Sequence, residues 1–115
     1  MDKRAMDIIR PGEIYWHEPD ATVGREQGGR RPIIVVSGPA YNASADTLAL
    51  VVPLTTVDRH WANHVYVSSG LPQDSWAMTE QVRCVSRERL FGRIGSVSPA
   101  ELAEIRRWVI RHLIL

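Results

Sequence analysis

Apolar residues in this chain come in short blocks separated by polar, glycine- and proline-bearing stretches, with one longer periodic segment at the end. After a loose arm over residues 1–11 and the turn signal Pro11-Gly12, Glu13-Ile14-Tyr15-Trp16-His17 is aromatic and β-branched and predicts a strand. Residues 18–31 hold proline, three glycines and no period, which predicts a long loop of the kind that is functional or mobile. Pro32 opens Ile33-Ile34-Val35-Val36, a continuous apolar run typical of a buried strand, with proline tolerated at its first position. Ser37-Gly38-Pro39 and Asn42-Ala43-Ser44 mark a connection, and residues 47–55 form another apolar strand. Residues 57–63 read as loop, 64–68 alternate as a strand, and Gly70-Leu71-Pro72 is a turn. Residues 75–85 are extended, as one bent strand or two; 86–90 suit a single helical turn and 93–97 a short last strand.

The C-terminal segment is the clearest. Ser98-Pro99-Ala100-Glu101 is a capping box with proline at the first helical position, and Val97 and Leu102 occupy the staple positions around it. Leu102, Ile105, Trp108, Val109 and Leu113 then fall on one helical face, with Arg106, Arg107, Arg111 and His112 toward the end where the helix dipole favours cations. A helix over 98–114 follows. Five to seven short strands and one terminal helix predict a mainly-β domain, a small curled antiparallel sheet or barrel plugged by the helix.

Composition narrows the class further. A length of 115 residues is expected to make one domain, 1–115, with one core, and is too short for a two-domain enzyme. Hydrophobic content of 44% and charged content of 23% argue against disorder and against a disulfide scaffold. The lone cysteine, Cys84, cannot pair internally, so a reducing, cytoplasmic setting is expected. The start carries no apolar signal core, and the longest apolar stretch, residues 48–54, is far too short to span a bilayer. Net charge is only +1, but 13 of the 14 basic residues are arginine, the side chain suited to phosphate forks.

Candidate chemistry is sparse, which helps. His60 and His64 stand four apart, but the second begins a strand and Cys84 lies elsewhere, so surface histidines are expected rather than zinc ligands. No P-loop, dinucleotide fingerprint or serine-hydrolase elbow occurs, and neither a metal nor another cofactor is expected. Asn42-Ala43-Ser44 matches a glycosylation sequon by chance, and Cys84 is expected to point at the core or an adjacent strand. The four tryptophans read as core and interface residues, although Trp61 in its polar loop suits base stacking. Gly24-Arg25-Glu26-Gln27-Gly28-Gly29-Arg30-Arg31-Pro32 is the informative segment. Its glycines let backbone approach a ligand, its three arginines can neutralise phosphate, and Glu26 is placed to handle a proton.

With these residues in view, the chain resembles the MazF/PemK family of toxin–antitoxin ribonucleases. The likeness runs in order through Gly12-Glu13-Ile14-Tyr15-Trp16, Gly24-x-Glu26-Gln27-Gly28, Arg31 to Ser37, Asn42 and Val52-Pro53-Leu54-Thr55-Thr56. It continues through Gly70-Leu71, Glu80-Gln81-Val82-Arg83, Arg89-Leu90, Ile94-Gly95 and Ser98-x-x-Glu101-Leu102. His17-Glu18-Pro19-Asp20 and Cys84 depart from the family's usual residues.

The resemblance implies an SH3-like barrel of five to seven strands, a homodimer, and metal-independent cleavage of single-stranded RNA at a short sequence. It also implies inhibition by a small MazE-like antitoxin that occupies the RNA groove. By position it assigns catalysis to Arg31, Thr55 and Glu26. Arg25, Gln27, Arg30, Thr56, Gln81 and Arg83 become expected RNA contacts, although Gln81 and Arg83 serve equally well as a polar pair holding the loop. In such chemistry the 2′-OH attacks its own phosphorus, so the nucleophile arrives with the substrate. A guanidinium stabilises the phosphorane, Thr55 bonds a non-bridging oxygen, and either Glu26 or the phosphate itself takes the 2′-OH proton. The competing reading is a CcdB-like DNA gyrase poison of the same fold, with an SH3-like adaptor as a third.

Overall fold

A computed structural model of the chain describes residues 8–19, 29–68 and 70–114. Among the described residues, seven strands, β1 (Glu13–His17), β2 (Arg31–Val35), β3 (Leu48–Thr55), β4 (His64–Val67), β5 (Ser75–Met78), β6 (Arg83–Ser86) and β7 (Leu90–Ser96), are joined by helix α1 (Pro39–Ser44) and followed by helix α2 (Pro99–Ile114). All pairs are antiparallel, in the order β4-β5-β3-β2-β1-β7, with β6 also on β3. The expected mainly-β class with a C-terminal helix holds. Among the described residues no pairing joins β4 to β7, so the sheet stays open instead of closing into a complete barrel.

The uninterrupted apolar runs have a simple cause: the central strands are buried on both faces. Ile14, Ile34, Val52 and Leu54 pack under α2 with Ile105 and Val109. Their alternating neighbours Tyr15, Ile33, Val35, Ala49 and Val51 form a second cluster with Val85 and Leu90. Strand β3 is the spine. One edge pairs with β2, and the other carries β6 opposite residues 48–51 and then β5 opposite 54–55. The segment over 75–86 is therefore two strands, split by a 3₁₀ turn at Thr79–Gln81. Pro53 sits where that outer edge is unclaimed, so its missing N–H costs no ladder bond.

Three local readings need correction. The connection after β2 contains the short helix α1, with proline in its first turn. The last strand starts at Leu90, not at residue 93, because Gly92 (φ +62°) lets β7 bulge past Trp16 and keep pairing with β1. Leu113 is 70% exposed although it shares the helical period of the buried positions, because the last turn of α2 outruns the sheet.

The capping box forms as read. The Glu101 N–H donates to Ser98 Oγ at 3.1 Å, and the Ser98 N–H donates to Glu101 Oε1 at 2.9 Å. Glu101 Oε2 also accepts the Ser68 N–H and hydroxyl at 3.0 and 2.8 Å, tying α2 to the end of β4. Partial burial pushes this carboxyl up, but the Ser98 and Ser68 bonds outweigh it and hold it below the ordinary value of 4.5. A carboxyl depressed on folding stabilises above its unfolded pKa, and that contribution is lost as pH falls through the folded value. Thermal melts of Glu101→Gln should fall below wild type at pH 7 and converge on it toward pH 3. An equal gap at both pH values would remove the charge from the account.

Candidate RNA-cleavage site

Strand register brings the sequence-predicted residues together. Ile33 faces Pro53 and Ile34 faces Val52, so extending the β2–β3 register sets Arg31 opposite Thr55. Opposed residues of an antiparallel pair project from the same face about 5 Å apart. On its other side Arg31 pairs with His17. Thus β1, β2 and β3 deliver an imidazole, a guanidinium and a hydroxyl in one cross-strand row at the end of the sheet.

Two open depressions meet at Arg31. The larger, about 650 Å³, is lined by His17, Pro19, Arg31, Gln81, Arg83, Cys84, Val85, Ser86 and Arg89. The smaller, about 340 Å³, is lined by Arg31, Pro32, Leu54, Thr55, Thr56, Val57 and Ser75. Among the described residues that line the larger cleft there are three guanidinium groups and no carboxylate, a lining that attracts anions. The 3₁₀ turn at Thr79–Gln81 swings Gln81 and Arg83 into this cleft, and the turn at Arg87–Arg89 does the same for Arg89. The Gln81 side-chain amide also donates to the Met78 sulfur at 3.7 Å.

Individual expectations fare differently. Arg31, Gln81 and Arg83 share the cleft, while Arg31, Thr55 and Thr56 share the smaller depression. Thr55 Oγ1 accepts the Val57 N–H at 3.1 Å, which fixes its rotamer and leaves its proton able to donate outward. Arg30 lies over the Phe91 ring at 5.5 Å and is not among the cleft residues. Arg25, Glu26 and Gln27 lie outside the described residues. Cys84 is exposed, with the Tyr41 hydroxyl 3.9 Å from its sulfur, and does not point into the core. Sequence reasoning did not name His17 or Arg89 as site residues. His17 was legible as the strand residue that ends opposite Arg31, whereas Arg89 needed the turn before β7.

The histidine pair also needs correction. His60 is exposed, but the His64 side chain is only 1% exposed, and its Nε2 lies 3.0 and 3.1 Å from the two carboxylate oxygens of Glu80. Burial pushes the Glu80 carboxyl up, but the bond to His64 and neighbouring donors outweigh it and hold the group below its ordinary value. No cluster of three metal-ligating side chains occurs among the described residues. Asn42 is buried, with the Ser37 hydroxyl donating to its Oδ1 at 2.6 Å and its amide donating to the Ser37 carbonyl at 3.0 Å, so the sequon is structural.

Residues 10–113 match the family described as PemK-like, MazF-like toxin of type II toxin–antitoxin system. Endoribonuclease MazF9 of Mycobacterium tuberculosis is 37% identical over 114 residues, covering 92% of this chain and 97% of that protein. Endoribonuclease toxin MazF of Escherichia coli is 36% identical over 96 residues, covering 83% and 85%. Among solved structures, MazF from Deinococcus radiodurans superposes with a TM-score of 0.76 at 25% identity, covering 99% of this chain and 100% of that one. An endoribonuclease from a mycobacterial species, in complex with its cognate antitoxin, superposes with a TM-score of 0.77 at 21% identity, covering 93% and 96%.

Proposed function

The chain belongs to the PemK-like, MazF-like toxin family, and we propose that it exercises that family's endoribonuclease activity by holding single-stranded RNA across Arg31. The carrying observation is that Arg31 is common to a cationic cleft and to the depression holding Thr55. A strand running through both would set one phosphodiester beside that guanidinium. The 2′-OH attacks its own phosphorus, the P–O5′ bond breaks, and the products are a 2′,3′-cyclic phosphate and a 5′-OH. Arg31 matches the charge growing on the phosphorane oxygens with forked donors, and Thr55 donates to a non-bridging oxygen. Glu26, which precedes β2 in the sequence, or the phosphate itself takes the 2′-OH proton, and the leaving 5′-oxygen takes up one proton from the phosphate or from water. Arg83, Gln81 and Thr56 hold the flanking nucleotides, with Arg25, Gln27 and Arg30 as further contacts.

The endoribonuclease names of the relatives favour this reading over a gyrase poison. The test is cleavage of unstructured RNA by purified protein in excess EDTA, with the ends sequenced. Cutting that leaves 5′-OH termini is expected; gyrase-dependent DNA breaks with intact RNA would reverse the assignment.

Two partners belong to the same proposal. A cognate MazE-like antitoxin would lie along the cationic cleft and block RNA; that such a partner exists is supported by the structural neighbour solved in complex with its cognate antitoxin. A second copy of the chain would cover the apolar groove of about 540 Å³ bounded by Val36, Leu50, Val82, Val109, Ile110 and Leu113. The sedimentation mass of the purified protein decides between dimer and monomer. Among the described residues no helix is long and apolar enough to cross a membrane. We place the activity in the cytoplasm because that is where its RNA substrate is found.

A further inference from the structure

The cross-strand row that holds Arg31 and Thr55 does not stop there. Thr55 pairs with Trp76 on β5, and Trp76 pairs with Tyr66 on β4. Directly opposed residues share a face, so the two aromatic rings stand on the same side of the sheet as the Thr55 hydroxyl. Trp76 lies about 10 Å from Arg31, two strand spacings along the row. Its ring meets that of Tyr66 edge-on, with centroids 5.7 Å apart and planes at 64°. The Tyr66 hydroxyl donates to Asp74 Oδ1 at 3.1 Å, which fixes that ring at its far end. Tyr66 nevertheless keeps 47% of its surface in water, while Tyr15, whose ring belongs to the second core, is buried.

From this placement we infer that Trp76 and Tyr66 form a stacking site for one unpaired nucleobase next to the cut. The inference rests on the ribonuclease reading of Arg31 and deepens it from phosphate to base. Proteins that hold single strands combine a cationic track for the backbone with aromatic faces for the bases. Here the cationic cleft at Arg31, Arg83 and Arg89 supplies the track. The aromatic pair stands at the other end of the row, past Thr55. A base flanking the scissile phosphate reaches it by splaying away from its neighbours. The fixed ring pair costs little ordering entropy on binding, since Asp74 already holds Tyr66.

The test uses RNA oligonucleotides that the wild-type protein cuts, each carrying one abasic ribonucleotide stepped through the positions flanking the cut. Trp76→Leu should raise KM about 10- to 100-fold with kcat little changed. One abasic position should cost the wild type the same factor, and that position should cost Trp76→Leu nothing more. Trp76→Phe, which keeps a ring, should recover most of the loss. A wild-type KM in Trp76→Leu, or a loss that adds in full to every abasic position, would overturn the site. If circular dichroism shows Trp76→Leu unfolded, Tyr66→Leu, at the exposed position of β4, is judged by the same scan. A wild-type protein that cuts no RNA would overturn the ribonuclease reading itself, before any variant is compared.

Discussion

Arg31→Ala should cut RNA about 10²- to 10³-fold more slowly than wild type while melting at nearly the same temperature. Arg31 is the exposed first residue of β2, and the core contributions of that strand begin at Ile33. Truncating it therefore removes a guanidinium from the surface and opens no cavity. The loss should fall on the chemical step, because charge on the phosphorane oxygens exceeds that of the ground-state phosphodiester and only the excess accelerates the reaction. Binding of an RNA blocked by a 2′-O-methyl group at the scissile position should weaken far less, since Arg83 and Arg89 still line the cleft. Arg31→Lys retains the charge but loses the planar fork, and should lie between the two. Single-turnover rates on a fluorogenic oligonucleotide, read beside melting curves, check all three. Full activity in Arg31→Ala would take this residue out of the mechanism.

That Arg31 and Thr55 meet was legible in the sequence only through resemblance; nothing in spacing alone brings position 31 to position 55. The register supplies the physical reason, because two apolar runs paired at Ile33 and Pro53 put the polar ends of both strands side by side. The runs themselves were readable from their β-branched content, and the C-terminal helix from its capping box, since both signals are local. Features set by tertiary contact were not. Cys84 alternates with Arg83 and Val85 as a strand residue should, yet nothing in that pattern tells that its side of β6 is exposed. His64 looked like one of two surface histidines because its partner, Glu80, is 16 residues away and arrives only through the β4–β5 pairing and the turn that follows it. Leu113 kept the helical period past the point where the sheet ends. The His17–Arg31–Thr55–Trp76–Tyr66 row is the same kind of feature, five residues that only strand pairing aligns.

Arg87→Met should be the most destabilising single change in the chain's polar framework, lowering stability by about 3 kcal/mol and the melting temperature by about 12 °C. Arg87 is 3% exposed. Its Nε donates to the Leu48 carbonyl at 2.8 Å, and its Nη2 donates to the Asn42 carbonyl. Asn42 is in turn held by Ser37, whose hydroxyl accepts the Leu50 N–H at 3.2 Å. One side chain thus links the turn before β7, the start of β3 and helix α1 in a continuous network. Methionine fills much of the volume but leaves the two carbonyls without that donor, and an unsatisfied buried acceptor costs more than a hydrogen bond gains. The consequence reaches the cleft, because Ser86 and Arg89 line it from either side of Arg87. At a temperature where Arg87→Met is still folded, its cleavage rate should therefore fall several-fold, whereas a framework role confined to stability would leave the rate per folded molecule at the wild-type value. Arg87→Lys separates charge from geometry. An ammonium on a shorter stem can reach one carbonyl but not fork to both, so it should recover less than half of the lost stability. Equal melting temperatures for wild type and Arg87→Met would show that Leu48 and Asn42 find other donors, and that the network is not what holds α1 against the sheet.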